Sequence, residues 1–196
     1  MSTILKELSR NLSPEVIQGI SGQLGIDEKK TNAAISAAAP LLIGALARNT
    51  SAADGAASLL GALTKSHDGG ILAALGSYVS AGNFSDGLKI LGHVFGPQMQ
   101  TILQGVAKAT GLDPDTSSQL ISLLAPVLLG IIGKENKKQD FDTQGLNGYL
   151  QKEKEETWKI DPESMGVWGQ LLDTDHDGDI SDDLLSAGTK ILGSFL

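Results

Sequence analysis

The stretch VIQGISGQLGIDEKKTNAAISAAAPLLIGAL (16–46) returns 86 residues later as ILQGVAKATGLDPDTSSQLISLLAPVLLGII (102–132). Without a gap, Gln18, Gly19, Gly25, Asp27, Ile35, Ser36, Ala39, Pro40, Leu42 and Gly44 fall on Gln104, Gly105, Gly111, Asp113, Ile121, Ser122, Ala125, Pro126, Leu128 and Gly130. Most of the remaining pairs exchange one apolar residue for another. Ten identities in register point to an internal duplication, and a repeat decides the architecture before any local reading does.

Outward from this pair the correspondence resumes after insertions. GILAALG (70–76) falls on GVWGQLL (166–172), GNFSDGL (82–88) on GDISDDL (178–184), and KILG (89–92) on KILG (190–193). The expected fold is all-α: two tandem copies of a helical unit, packed about a pseudo-twofold, with residues 1–96 as the first and 97–196 as the second. Each unit reads as a first helix, a second helix with an internal proline, a variable connection and a closing EF-hand-like helix-loop-helix.

In the first helix Val16, Ile17, Ile20 and Leu24 share one face of a 3.6-residue period. Ser13 is placed to cap it ahead of Pro14. Gly25 and Gly111 follow the last periodic residues and suit a left-handed helix end, with the second helices opening near Asp27 and Asp113. Those second helices hold the apolar runs 33–47 and 120–133, which at about 15 residues fall short of the roughly 20 that a membrane span needs. They are therefore expected as buried central helices, with Gly44 and Gly130 letting them approach each other closely. Pro40 and Pro126 each remove the backbone bond to the residue four before, Ser36 or Ser122. The charged connection 133–164 has a helical middle over Thr143 to Thr157, and QKEKEE (151–156) reads as a solvated face.

The chain has 196 residues, 41% of them hydrophobic and only 4% aromatic, so its core is expected to be Leu, Ile, Val and Ala. Cysteine is absent, which excludes disulfides, thiolate zinc sites and cysteine nucleophiles and suits a reducing compartment. Charges interrupt every apolar stretch of MSTILKELSRNLSPEV (1–16), unlike a secretory signal, and the expected location is cytoplasmic. The net charge of −8 resides in residues 161–183, where Asp161, Glu163, Asp173, Asp175, Asp177, Asp179, Asp182 and Asp183 stand without a Lys or Arg. The rest of the chain is balanced and offers no basic face, so nucleic acid is not an expected partner.

One spacing implies chemistry. In LLDTDHDGDISDDLL (171–185) Asp173, Asp175 and Asp177 alternate and Gly178 follows, the pattern of the first half of an EF-hand loop over 173–184. Calcium takes six to eight oxygens. Carboxylates at loop positions 1, 3 and 5 converge on it because glycine at position 6 permits the sharp turn. Asp179 would offer its backbone carbonyl, Ile180 an apolar anchor, and Ser181 a direct or water-mediated ligand. Leu184 stands where a bidentate Glu is usual, so Asp182, or else Asp183, would close the site. The expected metal ligands are Asp173, Asp175, Asp177, Asp179, Ser181 and Asp182, with calcium as the cofactor at an affinity on the order of micromolar to millimolar. The competing reading makes Ser181, Asp182 and Asp183 a helix cap and the other acids a solvated turn. In the first unit the equivalent SYVSAGNFSDGL (77–88) has Ser77, Val79 and Ala81 where those acids would be, and reads as the same loop without ligands.

DGLKILGHVFG (86–96), LLDTDHDGDISDDLL (171–185) and the two proline helices together resemble the bacterial family designated domain of unknown function 937, with its YidB-like relatives, over nearly the whole chain. The resemblance implies a bacterial, mostly helical protein with no established activity and supplies no catalytic residue.

An enzyme is not expected: there is no phosphate loop, no nucleophile elbow and no spaced histidine-carboxylate cluster. His67 beside Asp68 is the nearest to an acid-base pair and reads as a polar helix end. His93 reads as a core or boundary residue and His176 as pointing out of the acidic loop. The expected function is that of a noncatalytic helical module with a single calcium loop, structural or partner-binding, its partner being another protein or a second copy of the chain. The alternative is a peripheral membrane or lipid-binding protein, or a self-assembling one, in which the metal has no role.

Overall fold

The computed structural model describes residues 2–82, 85–96 and 99–159. Those residues form ten helices and no strand: α1 (Thr3–Asn11), α2 (Pro14–Leu24), α3 (Glu28–Asn49), α4 (Ala53–Lys65), α5 (Gly70–Ala73), α6 (Leu75–Ala81), α7 (Ser85–Phe95), α8 (Met99–Thr110), α9 (Pro114–Gln139) and α10 (Thr143–Trp158). All belong to one compact unit, Met1–Ile160, which runs across the repeat boundary expected at residue 96.

Local chemistry sets the helix ends. Ser13 Oγ accepts from Val16 N with Pro14 at the first helical position, and Gly25 ends α2 at φ +66°. Asp27 Oδ1 accepts from Lys30 N at 2.8 Å, and Asp113 Oδ1 accepts from Thr116 N at 2.9 Å. Gly111, at φ +67°, repeats the left-handed turn of Gly25. At these positions a side chain would be strained, because L residues enter the left-handed region at a cost. The connection helix α10 forms over the stretch expected of it, opened by Asp142 Oδ1 accepting from Gly145 N at 2.7 Å. Periodicity gave no expectation of α1, whose nine residues are mostly polar and bury only Ile4 and Leu8.

At the centre is α9. Every residue from Leu120 to Gly133 is buried, as an all-round apolar helix requires, and α1, α2, α3, α4, α5, α7 and α8 all pack on it. The helices around the prolines are 22 residues (α3) and 26 residues (α9) long, longer than their apolar runs. Both are long and apolar enough to cross a membrane by length and composition; the most apolar window of α9 is 83% buried inside the protein and that of α3 50%. Length therefore does not separate core helix from membrane helix here, as the apolar runs alone suggested. Burial does so for α9.

The close approaches fall elsewhere than expected. A Cβ at Gly44 would meet nothing within 4 Å, and one at Gly130 would meet Ile71 Cγ2 of α5 at 2.6 Å, so neither glycine mediates an α3–α9 contact. The tight points against backbone are Gly133, where a Cβ would collide with the carbonyl oxygen of His67, Gly87, where it would collide with that of Ser122, and Gly55, where it would collide with that of Asn49. The second has a physical reason. Pro126 lacks the N–H that would bond Ser122 O within α9, and the main chain of α7 lies against the carbonyl so released.

The first unit's closing motif also differs from its expected form. Instead of a twelve-residue loop over 77–88, helix α6 continues through Ser77, Val79 and Ala81, and Gly82 ends it at φ +59°. Val79 is buried at 1% exposure. Without acids to repel one another, these residues follow helical periodicity as far as Ala81, and α7 opens at Ser85.

Candidate functional site

The acidic segment, with Asp173, Asp175, Asp177, Asp179, Ser181 and Asp182, and with Asp183, Leu184 and His176, lies outside the described residues. Among the described residues no group of three or more His, Asp or Glu is arranged to hold a metal ion. Three polar features and one apolar crevice are available for function.

The first feature joins α1 to α10. Glu153 is 4% exposed. Its Oε2 accepts from Ser2 Oγ at 2.6 Å and from Ile4 N at 2.9 Å, while Ser2 Oγ accepts from Leu5 N at 3.2 Å. A carboxylate from one helix thus serves the unpaired N–H groups that open another, where the positive end of the helix dipole favours an anion. This corrects the reading of 151–156 as wholly solvated: Glu153 faces inward because it lies on the stripe of Leu146 and Leu150, both 0% exposed, at helical spacing. Two residues before Glu153, Gln151 Nε2 donates to Ala47 O at 2.8 Å and to Ser51 Oγ at 2.9 Å, which ties α10 to the end of α3.

The second feature is Tyr149, whose ring stacks on Phe141 with centroids 5.2 Å apart. Burial, with the negative charges of Glu153, Glu135 and Glu7 adding to it, raises its phenol well above the ordinary range. Its hydroxyl and Asn136 Oδ1 are buried without a hydrogen-bond partner. A phenol held protonated in such surroundings is a poor base, and nothing described is poised to take its proton.

The third is the corner before α5. Asp68 accepts from Lys137 Nζ at 2.6 Å and from Gly70 N at 3.0 Å. The Lys137 bond is the main reason its carboxyl lies below the usual carboxylate range. Asp68 is thereby a turn former anchored to α9, as a polar helix end would be, and the adjacent His67 carbonyl is pressed against Gly133. His93 lies on α7, with its side chain outside the described residues.

The crevice between α3, α7 and α9 is lined by Leu42, Leu46, Ile90, Leu91, Ala125, Leu128 and Leu129, with a volume of about 10 Å³ and no polar surface. It is at the limit of holding one water and offers that water no partner. Small-molecule pockets are of the order of ~300 Å³ or more, so it is a packing gap.

A family model of bacterial proteins of unknown function, DUF937, matches residues 6–135. No curated protein and no solved structure matches the chain. The matched region begins within α1 and ends near the C-terminal end of α9, so it takes in both proline helices and leaves out α10 and the acidic segment. The match is thus narrower than the whole chain and does not take in the acidic loop. With the match covering well over half of its length, the chain belongs to the DUF937 family of bacterial proteins.

Proposed function

We propose that this chain is a noncatalytic helical module, built from two copies of one unit about a pseudo-twofold, that binds a single calcium ion in the loop 173–184. The duplication is supported by the matched caps Asp27 and Asp113, the matched left-handed glycines Gly25 and Gly111, and the matched interior prolines. The observation that carries the metal reading is the contrast between the two copies. Ser77, Val79 and Ala81 continue a helix, whereas their counterparts Asp173, Asp175 and Asp177 are weak helix formers whose charges repel and whose alternation before Gly178 suits a hard cation. In this reading Asp173, Asp175 and Asp177 supply carboxylates, Asp179 its carbonyl, Ser181 a hydroxyl or a bridging water, and Asp182 closes the set. Calcium would then stabilise the chain or order a surface for a protein partner or a second copy, in a reducing compartment such as the cytoplasm.

The test is a thermal melt of metal-stripped protein with and without millimolar calcium, repeated with magnesium and with Asp173→Ala. A calcium-specific rise in Tm that vanishes in the variant supports the site, since a ligand that binds only the folded state stabilises it by RT ln(1 + [L]/Kd). No shift under any condition sinks the proposal and leaves the acids as a capped turn. The second reading, lipid association, draws on α3, whose apolar window is only half buried. It predicts co-sedimentation with liposomes that Asp173→Ala does not change.

A further inference from the structure

We draw no further inference here: the strongest candidate, the small-residue stripe of Ala33, Ser36, Ala37, Pro40 and Gly44 along the open face of α3, has nothing among the described residues to show what covers it.

Discussion

Removing the Glu153 carboxylate should release α1 from the body of the protein. Glu153→Ala deletes the acceptor of two hydrogen bonds, from Ser2 Oγ and Ile4 N, and leaves a hydroxyl and an amide unpaired. Hydrogen bonds to a charged group contribute about 1.5–3 kcal/mol each. The ceiling is set by α1 itself: if the helix detaches, Ile4 and Leu8, at 0% and 3% exposure, return to water at about 1.5–3 kcal/mol per side chain. Part of that loss is offset by the chain entropy regained, so the expected destabilisation is about 2–4 kcal/mol. Glu153→Gln keeps a carbonyl acceptor and avoids burying a charge, and should stay within about 1 kcal/mol of the parent. Urea unfolding gives the magnitude, and amide hydrogen exchange gives the location: in Glu153→Ala the amides of Leu8 to Asn11 should lose protection while those of α9 keep theirs. If Glu153→Ala unfolds at the parent's urea concentration with α1 still protected, the carboxylate does not hold this helix and the reasoning fails.

Three further outcomes follow from the packing. Gly133→Ala should destabilise by about 1–3 kcal/mol through overpacking against the His67 carbonyl, whereas Gly44→Ala, with open space at its Cβ, should stabilise by about 0.5–1 kcal/mol; equal effects in thermal melts would contradict the placement of α9. Tyr149→Phe should be neutral or stabilising near neutral pH, because it removes an unpaired buried hydroxyl. It should also flatten the alkaline limb of stability: a phenol whose pKa is raised by folding contributes fully below its unfolded pKa of about 10, a contribution lost as pH rises towards the folded value. Melts from neutral to strongly alkaline pH would show no difference in slope if the phenol were in fact solvated. Ser21 Oγ and Thr31 Oγ1 pair at 2.9 Å, whereas the residues that align with them in sequence are Ala107 and Ser117, and Ser117 Oγ is buried unpaired. Ala107→Ser should restore the bond and add about 1 kcal/mol, and an unchanged urea midpoint would show that the repeats do not superpose at this pair.

What the sequence alone determined is local and periodic. The caps at Ser13, Asp27 and Asp113, the left-handed ends at Gly25 and Gly111, the span of α10 and the all-helical class all follow from residues within a few positions of one another, where hydrogen-bonding reach and backbone sterics leave little choice. The acidic spacing at 173–177 was equally legible as a candidate calcium loop, because ligand spacing is written in consecutive residues. Only the tertiary structure decided which glycines meet a neighbour, Gly133 and Gly87 rather than Gly44, since that depends on which helices cross. It likewise turned Glu153 inward from a charged run, because the acceptor it provides serves a helix about 150 residues away in sequence. And it made α6 a helix where the loop of a degenerate metal site was expected: burying Val79 rewards helical packing that no pattern of missing ligands could announce.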